Sequence, residues 1–115
     1  MITVYGIPNC DTTKKAITVL QKNETGFQFH NYKQSGITAK KLNEWIDKAG
    51  IEKVFNKRST TFKELSETDK KKAGTTTGAI ALMINHNSII KRPIIESSNK
   101  LIVGFSEKEI KQLIK

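Results

Sequence analysis

With a single cysteine, Cys10, among 115 residues, the chain can close no intramolecular disulfide, so its stability has to come from a packed core. One cysteine and two histidines, His30 and His86, offer no metal-ligand spacing, and no metal is expected. Only two prolines and seven glycines punctuate the chain, with no linker, repeat or low-complexity tract. A single domain over residues 1–115 follows. No long apolar run and no signal-peptide pattern are present, which argues against membrane spans and makes the reducing cytoplasm the expected location.

What is abundant is positive charge. Twenty basic residues against 11 acidic ones give a net charge of +9, which favours anionic partners. Nucleic acid is disfavoured, because the lysines are scattered and the dense run Lys70-Lys71-Lys72 has no interleaved aromatics. That run reads as a solvated face. Only Arg58 and Arg92 are arginine. In a chain that uses lysine for ordinary surface charge, an arginine marks a place where a planar fork can grip an oxyanion or carboxylate.

Apolar spacing sets out the elements. Ile2 and Val4 alternate with Thr3 and Tyr5, predicting a strand over residues 1–6, and Thr13, Ala16, Ile17 and Leu20 recur at helical spacing over 11–23. Gly26 marks a turn into a second strand, 27–32, so the opening is a βαβ unit with parallel strands. Thr38 caps a helix with Leu42, Trp45, Ile46 and Ala49 on one stripe, and Gly50 stops it. Trp45 is read as core.

From Ile51 to His86 the sequence is helical in pieces: Ser66 caps a turn that ends at Gly74, and residues 79–84 form a helix apolar on most sides and therefore buried. Ile94-Ile95-Glu96 and Leu101-Ile102-Val103 flank a hairpin turn at 97–100. Ser106 and Glu109 form a capping box for a last helix carrying Ile110, Leu113 and Ile114. His30 is assigned to the surface of the second strand and His86 to a helix end, neither with a catalytic role.

Cys10 falls where the first strand gives way to the first helix. A thiol at a helix start faces unpaired N–H groups and the positive end of the helix dipole, both of which favour thiolate. Lys14 and Lys15 follow in the first turn, where cations oppose the dipole; such a broken local rule beside a thiol points to assisting Cys10 ionisation or attracting the carboxylates of glutathione, with ordinary exposed surface lysine as the equal alternative.

The element order, βαβ, then helices, then ββα, is that of an α/β thioredoxin-like fold with a mixed sheet of about four strands and a helical insertion over about 38–87. The stretches Thr3-Val4-Tyr5-Gly6-Ile7-Pro8-Asn9-Cys10-Asp11-Thr12, Phe55-Asn56-Lys57-Arg58, Ile89-Ile90-Lys91-Arg92-Pro93-Ile94-Ile95-Glu96 and Leu101-Ile102-Val103-Gly104-Phe105 resemble the arsenate reductase-like family, which includes the Spx regulators. Within it the sequence is most similar to the YffB-like glutathione-dependent thiol reductases.

That resemblance implies Cys10 as catalytic nucleophile, Arg92 beside it as the substrate-binding arginine, a cis Arg92-Pro93 peptide facing the cysteine loop, and Pro8 in a structural role within that loop. Arg58, Thr12, Thr13 and Lys14 complete the expected substrate-binding set. Glutathione is implied as cosubstrate and glutaredoxin as partner, with no tightly bound cofactor. Departures bear on substrate: Gly6 stands where the arsenate enzymes have histidine, Asp11 where they have glycine, and Gly104 where they have a third arginine. Efficient arsenate reduction is therefore not expected. Thr13 stands where Spx has its second cysteine, which excludes an internal disulfide switch.

Three readings follow: a glutathione-dependent monothiol reductase acting on a disulfide or oxyanion, a regulatory protein that contacts RNA polymerase in the Spx manner, and a thiol-binding domain without turnover. Retained or lost function in Cys10→Ser separates the first from the second.

Overall fold

The computed structural model describes residues 2–98 and 100–114; Met1, assigned above to the first strand, and Asn99, assigned to the hairpin turn, lie outside the described residues. The alternation of Ile2 and Val4 with Thr3 and Tyr5 is realised as strand β1 (Ile2–Gly6), and a one-residue alternation puts Val4 into the core on one face. Helix α1 (Asp11–Lys22) carries the chain to β2 (Phe27–Asn31), which pairs in parallel with β1 from Ile2↔Phe27 to Gly6↔Asn31. Strand β2 ends one residue before the predicted boundary. Tyr32 instead opens a four-residue helix, α2 (Tyr32–Ser35), too short for any periodic signal.

Later in the chain, β3 (Ile94–Glu96) and β4 (Leu101–Val103) form the predicted hairpin, and β3 runs antiparallel to β1. The sheet order is β2-β1-β3-β4, the thioredoxin-like arrangement with β1 inside. The last helix, α8 (Glu107–Ile114), begins with Ser106 accepting from the Glu109 N–H at 3.3 Å, one half of the capping box. Ala16 and Leu20 of α1, Ile110 of α8, and Val4, Ile95 and Ile102 of the sheet form one buried cluster. Each of the large aliphatic members stabilises the fold by about 1.5–3 kcal/mol through burial.

The chain divides into two compact units, one comprising the residues up to Ser35 and from Arg92 onward, the other Gly36–Lys91. The second unit is helical. In it, α3 (Ala39–Ala49) starts at the predicted cap, Thr38, whose hydroxyl accepts from the Lys41 N–H, and ends at Gly50. Next come α4 (Ile51–Val54), α5 (Thr60–Lys63), α6 (Glu67–Lys72) and α7 (Thr76–Asn85), then a 3-10 turn at Asn87–Ile89. Trp45 and Leu42 of α3 are fully buried. Phe55 and Ile90 form an antiparallel bridge, and Phe55 meets the Phe62 ring edge-on at 5.3 Å.

Helix α7 is less buried than its apolar sequence predicts. Ala79, Ile80, Leu82 and Met83 are inside, but Ile84 is 40% exposed and Ala81 lies on the same open side. Lys70 and Lys72 pair with Glu67 and Asp69 along α6, as suits a solvated face, where such pairs contribute little. Among the described residues no helix is long and apolar enough to cross a membrane.

Candidate active site

The strand-to-helix junction is a tight turn. The Cys10 N–H bonds the Ile7 carbonyl at 3.0 Å and the Cys10 carbonyl accepts from Lys14 N–H, which leaves Cys10 as the N-cap of α1 in extended backbone geometry. Its side chain is only partly buried. Cys10 Sγ lies 3.1 Å from Thr12 Oγ1, and the Thr12 hydroxyl donates to the Arg92 carbonyl, also at 3.1 Å. Arg92-Pro93 is a cis peptide, and the Pro93 carbonyl accepts from the Gly104 N–H at 2.8 Å. The cysteine loop and the Arg92-Pro93 segment are thus tied together through one threonine.

A hydroxyl carries one proton, and this fixes a protonation logic. While the thiol is neutral, its S–H can donate to Thr12 as Thr12 donates to the Arg92 carbonyl. Once the sulfur is ionised, Thr12 can donate to it instead.

Burial is the largest single influence on Cys10 and pushes the thiol up. It is outweighed by hydrogen bonds to the thiolate from the Thr12 hydroxyl, the Thr13 backbone N–H, the Arg92 side chain and the Thr13 hydroxyl, which bring Cys10 down to about 6. The Thr13 N–H is one of the helix-start amides that lack an intrahelical acceptor. Thr13 Oγ1 is fully buried and meets no partner of good geometry among the described residues, consistent with its place as the weakest of the four. At neutral pH the sulfur is therefore mostly thiolate.

The departures from the arsenate pattern have physical reasons. A Cβ added at Gly6 would come 2.6 Å from Thr13 Oγ1, so the space a histidine side chain would enter is filled by the threonine. Gly104 sits at φ 86°, in the left-handed region, where an arginine would be strained. Asp11 is exposed on the first turn of α1.

Thr12, Thr13 and Arg92 gather around the sulfur, and Lys14 is exposed one helical turn along α1. Pro8 is exposed in the loop. Arg58 belongs to the helical unit, exposed between α4 and α5, with its N–H bonded to Asn56 Oδ1 at 3.2 Å. Among the described residues no group of three His, Cys, Asp or Glu could hold a metal ion. His86 is the residue that ends α7. His30, assigned above to the surface, is half-buried in an aromatic group, its ring 5.0 Å from that of Tyr5 and 6.1 Å from that of Tyr32.

Sequence reasoning missed Tyr32. Its ring is fully buried and stacks on Tyr5, and its hydroxyl has no partner among the described residues. Burial and, secondarily, Tyr5 push its pKa up, opposed by the charge of Arg92. No sequence signal marks it, because a tyrosine at a strand end is ordinary.

The model of the ArsC family matches residues 5–113. An uncharacterized protein of Haemophilus influenzae (strain Rd) is 40% identical over 109 residues, 95% of each chain. The global transcriptional regulator Spx of Streptococcus pyogenes serotype M6 is 30% identical over 116 residues, 99% of this chain and 85% of that one. Among solved structures, a protein called YFFB superposes with a TM-score of 0.93 at 36% identity, with both chains covered completely.

Proposed function

The chain belongs to the ArsC family, and we propose that within it the protein is a glutathione-dependent monothiol reductase with Cys10 as nucleophile. The carrying observation is the sulfur itself, partly open to solvent and held down to about 6 by Thr12, Thr13 and Arg92 against the opposing effect of burial. A thiolate of that pKa is abundant at neutral pH as the nucleophile of the first step and is also a good leaving group for the second.

In the first step Cys10 thiolate attacks the glutathione sulfur of a mixed disulfide R–S–S–G. The Cys10–S–SG bond forms, and R–S⁻ leaves and takes up a proton. A second glutathione then attacks as thiolate, the Cys10–S–SG bond breaks, oxidised glutathione departs and Cys10 returns as thiolate. Arg92 offsets negative charge at the reacting sulfurs, and Thr12 follows it with its single proton. Thr13 stands where a second cysteine would resolve the intermediate internally, so the resolving thiol must come from outside. Glutaredoxin is the protein thiol that this reading adds as partner.

Oxidised glutathione added to the purified protein should raise its intact mass by one glutathione per chain, reversibly with excess thiol; no adduct at Cys10 overturns the reading. Arsenate should be reduced weakly or not at all, since the side chains of the loop histidine and third arginine are absent at Gly6 and Gly104.

The relative that is a global transcriptional regulator, Spx, favours a second reading of this chain as a regulator, with the RNA polymerase contact that the Spx resemblance implies. Polymerase binding that survives Cys10→Ser would favour it.

A further inference from the structure

Between α1 and the segment from Phe105 into α8 lies a groove of about 750 Å³ whose charge the proposed reaction does not use. Lys14, Lys15 and Lys22 line it from α1, Lys111 and Glu107 from α8, and Phe105 gives it an apolar wall. Glu107 is bonded to Lys111 at 2.8 Å, and its carboxyl is held below the usual range chiefly by that lysine. The acid of the groove is thus engaged chiefly by Lys111 and, more weakly, by Lys22. Lys14 and Lys15 form no ion pair with any described residue. Their place in the first turn of α1 runs against the helix dipole, and Asp11 is the one acid of that turn, so an anion from outside would add to the relief.

Lys14 and Lys22 are eight residues apart on one helix face, a separation of about 12 Å along the axis. That is the length of roughly four residues of extended chain. The groove also begins one helical turn from the thiol, since the Lys14 N–H bonds the Cys10 carbonyl.

We propose that this groove docks an acidic segment of a protein substrate, delivering a glutathionylated cysteine of that protein to Cys10. The assignment rests on the monothiol reductase reading and names its substrate class: acidic proteins carrying a glutathione mixed disulfide. Cys10 thiolate forms its bond to the glutathione sulfur, the protein's own thiolate leaves, and external glutathione regenerates Cys10 as above. Charge complementarity selects the occupant. Carboxylates of the segment meet Lys14, Lys15 and Lys22, and an apolar side chain of the segment meets Phe105. A nucleic acid backbone fits less well, because the apolar Phe105 ring lines the groove and offers a phosphate chain nothing to bind.

The test compares a glutathionylated peptide bearing four Asp and Glu residues beside its cysteine with the same peptide carrying Asn and Gln. At low ionic strength the acidic peptide should react at least about tenfold faster, and the advantage should disappear near 0.5 M salt, where roughly 4 Å of screening length remains. Lys15→Glu with Lys22→Glu should abolish the advantage while leaving the reaction with neutral bis(2-hydroxyethyl) disulfide unchanged. Should the charge reversal unfold α1 by circular dichroism, Lys15→Gln with Lys22→Gln should show a partial loss. Lys48→Glu with Lys53→Glu, the same charge change in the helical unit, should preserve the advantage.

Equal rates for the two peptides, or equal losses in the two double variants, overturn the proposal. Binding is read separately, by fluorescence anisotropy of labelled peptides with serine for cysteine, so docking is measured even if Cys10 proves unreactive. Unreactive Cys10 with selective acidic binding would refute the reductase reading and keep the groove. Tighter binding of a short oligothymidylate than of the acidic peptide would refute the groove assignment.

Discussion

Helix α1 begins differently from the hydroxyl-capped helices, which are α8 with Ser106 in its own unit and four more in the helical unit. In the helical unit α3, α5, α6 and α7 each start with a hydroxyl, from Thr38, Ser59, Ser66 and Thr75, that accepts a backbone N–H of the first turn. In the sheet unit α1 starts with Cys10, whose side chain makes no such bond, and the hydroxyls of Thr12 and Thr13 lie two and three positions further in, beside the sulfur. Where only helix stability is at stake, the hydroxyl serves the backbone. Where chemistry is at stake, the cap is ceded to a thiol and the hydroxyls serve the thiolate. A lost hydroxyl cap costs about 1 kcal/mol, so α1 gives up stability of that order in exchange for a poised nucleophile.

The comparison breaks most visibly at Trp45, fully buried in the helical unit. Trp45→Ala should cost about 3–5 kcal/mol in urea denaturation, since it removes a large buried ring and leaves a cavity. On the sheet side, Arg92→Lys keeps the charge but loses the planar fork, and catalytic efficiency with a disulfide substrate should fall about tenfold or more, roughly 1.4 kcal/mol. Unchanged activity in the lysine variant would reduce Arg92 to a general positive field. The smallest effect sharpens the contrast between caps: Ser66→Ala should lose about 1 kcal/mol of stability and leave the alkylation profile of Cys10 where it was. A changed profile would mean that the two units are not separable in this way.

Much of the frame could be read from apolar spacing and caps. Val4, Ala16 and Leu20 marked the opening unit, Thr38 and Ser66 were recognisable caps, and Ile94 and Leu101 opened the two arms of the hairpin. Four-residue helices such as α2, α4 and α5 were not legible one by one, because one turn holds no periodicity. His30 was misplaced and Ile84 overburied for a shared reason: local sequence does not tell which face of an element another part of the chain will cover. At the site, the thiol announced itself by its position. The contact of Thr12 with the Arg92 carbonyl and the exclusion of a side chain at Gly6 by Thr13 depend on tertiary approach, and only coordinates reveal them.

The central claim is that the start of α1 stabilises a thiolate. Because folding lowers the Cys10 pKa, the ionised sulfur contributes its full share of stability above the unfolded value of about 8.5 and loses it as pH falls through about 6. The rate of Cys10 alkylation by iodoacetamide, followed from pH 4 to 10 by intact mass, tests this most directly. An inflection near 6, moved upward in Thr12→Val, is the expected result. An inflection at or above about 8.5, indifferent to Thr12, would contradict it.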